Sequence, residues 1–261
     1  MNRLFRFFAF AVVSVCALGF ISCSNDDDDD DNSSPSAVLE GQQTSPEEIS
    51  GDSWVLSTAE SKVYVNYNGY NGFVPLESAP QENNNGLILT GMTFYADGTA
   101  DWDVSGIKSK GEYSLNGKDF TCSHDILVEV NTPDGVVKKQ VPFTAKKGVD
   151  IADIVAELAA IEQKKWYKEN DFGGEGMFDA IDITLEENKK LNDIIITSHD
   201  LTKQGNKLYI KYSLRQEINY DFNISDEDLE EMGEFGGLFE NLQKVNKQPK
   251  LFDYYLVYNK K

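Results

Sequence analysis

The chain has 261 residues, a formal net charge of −20 and 40% hydrophobic residues, enough for one sizeable folded domain or two small ones. Such a negative field repels nucleic acid and anionic lipid headgroups. It therefore excludes a nucleic-acid partner and electrostatic docking to a membrane.

The first 22 residues have the pattern of a secretory signal peptide. Arg3 and Arg6 form its positively charged start, and the apolar stretch over residues 4–21 is too short and interrupted for a comfortable membrane span. Removing residues 1–22 leaves a chain that begins at Cys23 and carries a charge of −22, because both arginines are lost.

The segment around Cys23 resembles two lipoprotein signals. Residues 18–23 (LGFISC) are similar to a bacterial lipobox, in which the cysteine carries diacylglycerol and becomes the first residue. The polar and acidic residues that follow resemble the export signal of surface lipoproteins of Bacteroidetes: Ser24, Asn25, Asp26, Asp27, Asp28, Asp29, Asp30 and Asp31. The resemblance implies a protein held at the outer face of the outer membrane by acyl chains such as palmitate on Cys23. The alternative is a secreted protein with a solvated acidic tail.

Residues 32–50 are polar, contain two prolines and show little hydrophobic periodicity. This composition predicts a flexible tether. The expected organisation is therefore a signal peptide over 1–22, a lipidated cysteine, export signal and tether over 23–50, and a folded domain over 51–261.

Alternating apolar and polar residues dominate the folded part and predict a mainly β protein. Candidate strands lie near 54–66, 87–95, 99–104, 109–115, 118–130, 136–144, 179–185, 193–198, 206–218 and 251–259. Compact turn signals separate several of them: Asp97-Gly98, Asn116-Gly117, Asp134-Gly135 and Gly205-Asn206. The pattern indicates an antiparallel meander.

Two helices are expected near 150–166 and 226–246. Asp150 is a candidate N-cap for the first, whose apolar stripe contains Ile151, Ile154, Val155, Leu158 and Ile161. Ser225 and Asp228 resemble a capping box before the second. The sequence leaves open whether the helices plug a barrel end or pack outside it. It also leaves open whether residues 172–261 complete the same barrel or form a separate module.

Three segments of the chain are ISGDSWVL at 49–56, MTFYADGTA at 92–100 and GEYSLNG at 111–117. They resemble segments of the lipocalin-like lipoproteins of Bacteroidetes, and the resemblance covers residues 49–123. This resemblance implies an up-and-down lipocalin-like β-barrel, often with an interior cavity for one small ligand. It implies no shared catalytic residues.

Both histidines occur in a Ser-His-Asp tripeptide, at 123–125 and 198–200. Adjacent strand residues point to opposite faces, so neither tripeptide can form a catalytic triad by itself. A metal site would require the two segments to meet, and the favoured interpretation is two hairpin-end or core histidines. Cys122 shares a strand face with His124 and with apolar residues, which favours a buried thiol over a nucleophile. No catalytic residue, metal ligand or cofactor is therefore predicted.

The candidate ligand-binding residues are aromatic. Tyrosines alternate with asparagines and glycines over 63–73, offering stacking faces and amide groups on a mobile loop. The candidates are Tyr64, Tyr67, Tyr70 and Phe73, with Trp102 on a predicted barrel strand. The alternative is that this stretch packs at the barrel mouth.

These observations predict a non-catalytic surface lipoprotein that binds a glycan or small apolar molecule through its barrel. The second hypothesis is a structural or accessory subunit of a surface complex, with outer-membrane protein partners and a barrel interior filled by aromatic side chains. A third, an enzyme that uses the segments of His124 and His199, requires the two imidazoles to approach each other.

Overall fold

A computed structural model of the chain describes residues 41–67, 69–79, 87–171, 174–189, 192–218 and 250–261. The expected signal peptide, Cys23, the expected export signal over 24–31 and the second expected helix, 226–246, lie outside the described residues.

The described strands belong to one antiparallel sheet, and three helices accompany them. The strands are β1 (Ser53–Leu56), β2 (Lys62–Tyr67), β3 (Tyr70–Pro75), β4 (Gly91–Phe94), β5 (Thr99–Val104), β6 (Ile107–Asn116), β7 (Asp119–Thr132), β8 (Gly135–Ala145), β9 (Asn192–Gln204), β10 (Lys207–Ile218) and β11 (Lys250–Lys260). The helices are α1 (Pro46–Ile49), α2 (Ile151–Glu169) and α3 (Glu175–Lys189), with a 3-10 turn at Leu76–Ser78.

Eight strands close into a barrel in the order β1, β4, β5, β6, β7, β9, β10, β11. β11 closes it by pairing with β1, where Trp54 lies opposite Lys260 and Leu56 opposite Tyr258. Strands β9 to β11 therefore complete the same barrel as the first half of the chain. The predicted mainly β, lipocalin-like barrel is confirmed.

The four predicted turns all join neighbouring strands. Gly98 and Gly117 have φ values of +84° and +65°, the left-handed backbone that a tight hairpin needs and that glycine adopts without steric cost. Asp134-Gly135 and Gly205-Asn206 connect β7 to β8 and β9 to β10.

Two further hairpins, β7–β8 and β2–β3, extend the sheet beyond the barrel. β7 pairs with β6 up to Cys122, and its other edge pairs with β8 from Cys122 onward. Its pairing with β9 is restricted to Asp119 opposite Asp200. On the other side, β2 and β3 extend from β11, where Tyr254 lies opposite Val63.

Helix α2 packs against both β7 and β9, where these strands separate. Asp150 is its N-cap: the carboxylate accepts hydrogen bonds from the backbone N–H of Asp153 at 3.2 Å and of Ile194 at 3.3 Å. Ile151, Ile154, Val155 and Leu158 pack on the main core as expected. The prediction for Ile161 is wrong, since this side chain is 58% exposed.

The expected strand at 179–185 is wrong, because these residues lie in α3. Ile181 packs against Ala160 and Tyr167 of α2, with Phe178 and Leu185 alongside, whereas Ile183 is 60% exposed. The expected strand at 54–66 is two strands, β1 and β2, which are not neighbours in the sheet.

Residues 41–50, assigned to the tether from composition, belong to the folded part. Gln42 exchanges two backbone hydrogen bonds with Lys203, at 3.0 and 2.9 Å. Ile49 is fully buried, and Ser50 forms a bridge with Phe94. The tether prediction is therefore wrong for this segment. None of the described helices is long and apolar enough to cross a membrane.

Candidate functional site: the barrel interior and the aromatic face

Large aromatic side chains fill the barrel interior. Each of the following is 2% exposed or less: Trp54, Phe94, Trp102, Phe120, Tyr254 and Tyr258. The ring of Phe94 lies 5.6 Å from Trp102 and 6.2 Å from Phe120 in edge-on arrangements. These rings occupy the space that a ligand-binding barrel leaves empty.

Two depressions formed by the described residues lie outside the barrel. One, of about 250 Å³, lies over β5 and β6 between Tyr95, Asp101 and Lys110. The other, of about 350 Å³, lies on α2 beside Ile161 and Lys165. Both are open to solvent, and none of the six buried aromatic residues named above lines them.

The two histidines point into this core. His199 lies 4.8 Å from the ring of Phe120 and 5.1 Å from that of Tyr212, and His124 lies 5.8 Å from Phe143. Burial lowers the pKa of His199 to about 4 and also lowers the pKa of His124. Both imidazoles are therefore neutral near pH 7.

Ser123, Asp125 and Asp200 of the two tripeptides bind residues outside the tripeptides. Ser123 hydrogen-bonds Thr144 at 2.9 Å, and Asp125 accepts a hydrogen bond from Gln140 at 2.7 Å. Asp200 forms an ion pair with Lys118 at 3.0 Å. The described residues contain no group of three or more side chains placed to hold a metal ion. Cys122 is a buried free thiol, and burial raises its pKa.

A second aromatic group lies on the outside of the sheet, across β3, β2, β11 and β10. Strand alternation turns Val63 and Tyr254 toward the core and their neighbours toward the opposite face of the sheet. The strand register then forms two adjacent rows. One contains Pro75, Lys62, Tyr255 and Lys211, and the other contains Phe73, Tyr64, Asp253 and Ser213. We call the group formed by Lys62, Tyr64, Phe73, Lys211, Asp253 and Tyr255 the aromatic face. Tyr255 is only 4% exposed, so its accessible rings are those of Tyr64 and Phe73, which are half-buried.

The rings of the aromatic face form a continuous set. Tyr64 and Phe73 are 5.2 Å apart between ring centroids, and Phe73 and Tyr255 are 5.8 Å apart. The hydroxyl of Tyr64 donates a hydrogen bond to the side-chain carbonyl of Asn71, which fixes the position of the ring. Burial raises the pKa of Tyr255 to about 12, and the Asp253 carboxylate adds to this effect.

Two lysines lie over these rings. The Nζ atom of Lys62 is 4.4 Å from the ring centroid of Phe73, and that of Lys211 is 5.6 Å from the ring centroid of Tyr255. Both distances are in the range of cation–π contacts. The face thus combines ring surfaces, two ammonium groups and one carboxylate.

The structure separates the five predicted ligand-binding residues. Tyr64 and Phe73 meet on the aromatic face. Tyr67 and Tyr70 lie opposite each other at the tip of the β2–β3 hairpin, so this stretch is a hairpin and not a loop. Trp102 is in the core, inaccessible to a ligand in solution.

Sequence reasoning missed Lys62 and Lys211. Lys62 precedes Tyr64 by two residues, so alternation could have placed the two on one face. Tyr255 is only 4% exposed, in agreement with its interpretation as a strand-packing residue. Lys211 comes from another hairpin, and only the register between β10 and β11 brings it here.

No family model, no curated protein and no solved structure matches this chain.

Proposed function

We propose that this protein is a non-catalytic, surface-anchored binding module, attached to the membrane through lipid on Cys23, which engages its ligand on the outside of the barrel. The signal peptide, the lipobox-like segment and the acidic run support the anchor. The observation that carries the binding mode is the interior filled by aromatic side chains.

A saccharide is the ligand that suits the aromatic face. Sugar rings present C–H groups that pack on aromatic rings and hydroxyl groups that hydrogen-bond amides and carboxylates. Tyr64 and Phe73 supply the rings, and Asn71 and Asp253 supply the polar groups at their edges.

The anchor is tested in cells that express the full chain. Metabolic labelling with a palmitate analogue should mark the wild-type protein and not a Cys23→Ser variant. External protease should remove the folded domain from intact cells. An unlabelled wild-type protein, or full protection from the protease, would overturn the anchor.

The filled interior is tested with the mature chain carrying Cys23→Ser, which removes the lipid. Titration with N-phenyl-1-naphthylamine, a neutral apolar fluorophore, should show no saturable binding. A Trp102→Ala variant opens a cavity in the core and should bind the probe if it folds. Saturable binding to the wild type with one probe per chain would contradict an exterior binding mode.

The saccharide site is tested with a glycan panel against the same soluble chain. Phe73→Ala and Tyr64→Ala should each weaken binding about tenfold, since each removes a stacking surface. Tyr95→Ala, which removes an exposed ring on β5's side of the barrel, is the matched control and should leave binding unchanged. Co-purification with an outer-membrane protein, with no saccharide bound across the panel, would favour an accessory subunit instead.

A further inference from the structure

Strand β9 meets the β7–β8 part of the sheet through two short sets of backbone contacts. At the first, Asp200 lies opposite Asp119 on β7. Beside this pair, the Leu201 N–H donates a hydrogen bond to the Lys118 carbonyl at 2.8 Å. This set joins β9 to the start of β7.

The second set lies nearer the start of β9, at Ile196. The carbonyl of Ile196 accepts a hydrogen bond from the Gly148 N–H at 2.7 Å, and its N–H donates to the Val149 carbonyl at 2.9 Å. We call the two sets together the β9 seam. The opposite edge of β9 pairs with β10 from Asn192 to Gln204. Opening the seam therefore breaks fewer hydrogen bonds than separating β9 from β10.

Along β9, His199 lies between the two sets of contacts, and its side chain is in the core. The imidazole is 4.8 Å from the ring of Phe120 on β7 and 5.1 Å from that of Tyr212 on β10. Burial lowers the pKa of His199 to about 4, although hydrogen bonding to the backbone of Ala145 and Phe120 acts in the opposite direction. A neutral imidazole on β9 therefore packs against residues on the other side of the seam.

The titratable groups around this imidazole compensate a positive charge poorly. Those of the described residues are His124, Cys122, Asp200 and Tyr212. A charge on His124 would oppose one on His199. Burial raises the pKa values of Cys122 and Tyr212, so both stay neutral. Asp200 carries the opposite charge, but its carboxylate already forms an ion pair with Lys118 at 3.0 Å. Protonation of His199 is therefore unfavourable while the seam is closed.

Opening the seam changes the surroundings of this ring. Separation of β9 from the start of β7 and from residues 148–149 lets water reach the imidazole, which then binds a proton near its ordinary pKa of 6.5. The proton therefore binds the open form more tightly than the closed form. Acid shifts the equilibrium between the two forms toward the open one.

We propose that the β9 seam is an acid-triggered opening in the barrel wall, and that His199 is the residue whose protonation triggers it. This opening is independent of the proposed anchor and of the proposed saccharide site.

Amide hydrogen exchange of the mature chain carrying Cys23→Ser tests the opening. Exchange of individual N–H groups is followed by NMR at pH 7 and pH 5 and is corrected for intrinsic exchange rates. The opening equilibrium constant of the seam amides, Gly148, Ile196 and Leu201, should be about twentyfold larger at pH 5. This factor follows from a pKa of 6.5 in the open form and about 4 in the closed form.

Amides away from the seam distinguish local opening from unfolding of the whole domain. The Thr90 N–H donates to Asp103 at 2.7 Å, and the Tyr113 N–H donates to Gly98 at 2.8 Å. At pH 5, both should remain better protected than the seam amides by about tenfold or more. Near-UV circular dichroism of the buried tryptophans should be the same at the two pH values.

Two histidine variants identify the group that titrates. His199→Gln should reduce the increase in seam opening between pH 7 and pH 5 to less than about twofold. His124→Gln is the matched control, because His124 is also buried but packs on Phe143 and hydrogen-bonds the Asp125 carbonyl at 3.2 Å. This variant should retain most of the increase.

Three results would overturn the proposal. The first is no increase in seam opening at pH 5. The second is equal protection of the seam amides and the control amides at pH 5, which would indicate unfolding of the whole domain. The third is a full increase in His199→Gln. The first two are measured without either histidine variant, so they stand even where a variant does not fold.

Discussion

Gly111 occupies the tightest backbone contact among the described glycines. A Cβ atom at this position would lie 1.8 Å from the carbonyl oxygen of Ser123 on β7 and 3.0 Å from the indole nitrogen of Trp102. Because the first neighbour is backbone, Gly111→Ala must move β6 away from β7 or distort one of them. We expect a loss of about 3 kcal/mol in the free energy of unfolding, measured by urea denaturation.

Gly174→Ala is the control for Gly111→Ala. A Cβ at Gly174 meets nothing within 4 Å, so the substitution should change stability by less than about 0.5 kcal/mol. Equal effects of the two substitutions would show that the approach of β6 to β7 is not a steric constraint.

His199 makes stability depend on pH. Its folded-state pKa is about 4, below its ordinary value of 6.5, so the unfolded chain binds the proton first as pH falls. The contribution of His199 is fully present above pH 6.5 and is lost as pH falls toward 4. With about 1.4 kcal/mol for each pKa unit, the loss at pH 4 is roughly 3 kcal/mol.

Replacing His199 with glutamine removes this titration. Between pH 6.5 and 4, the free energy of unfolding of His199→Gln should fall less steeply than that of the wild type. His124, whose pKa burial also lowers, should supply part of the remaining slope. An unchanged slope would mean that His199 is not buried in its neutral form.

At the scale of elements, the Asp150 side chain stabilises both helix α2 and strand β9. Its carboxylate caps α2 and also accepts the backbone N–H of Ile194 in β9. Asp150→Ala removes the Oδ1 atom that accepts both hydrogen bonds, so we expect a loss of about 2 kcal/mol in the free energy of unfolding. Asp150→Asn keeps a side-chain oxygen and should retain most of the stability. Chemical denaturation of the pair distinguishes capping from a simple loss of charge.

Helices and strands were predicted correctly where the apolar residues fit only one periodicity. They were predicted wrongly where the apolar residues fit both the strand and the helix periodicity. Ile181, Ile183 and Leu185 alternate as in a strand, but Phe178, Ile181 and Leu185 also have helical spacing. Packing against Tyr167 of α2 favours the helical set and leaves Ile183 in solvent. Local pattern alone cannot choose between these outcomes, because the deciding partner lies on another helix.

The candidate site was predictable only in part for a similar reason. Tyr64 and Phe73 were found by composition. Asn68-Gly69 between them is a strong two-residue turn signal, from which their cross-strand contact could have been inferred. Lys211 required the pairing of β10 with β11, a contact between hairpins that no local signal encodes.

At the scale of the whole molecule, the barrel depends on its final residues. Tyr258 and Lys260 pair with β1, and the Lys261 N–H donates to Ser53 at 2.9 Å. Removing residues 258–261 leaves β1 without this partner and deletes a fully buried tyrosine. We expect the truncated chain to lose cooperative thermal unfolding, measured by circular dichroism.

Removal of Lys261 alone is the matched control for this truncation. It deletes one hydrogen bond and should cost about 1 kcal/mol. Cooperative unfolding of the 258–261 truncation would show that closure by β11 is dispensable.

The pairing of β1 with β11 also sets when the chain can fold. Its partners, Trp54 and Lys260, lie at opposite ends of the described chain. Such long-range contacts form slowly and cannot form until the last strand is available. The barrel therefore cannot close before β11 is free to pair with β1.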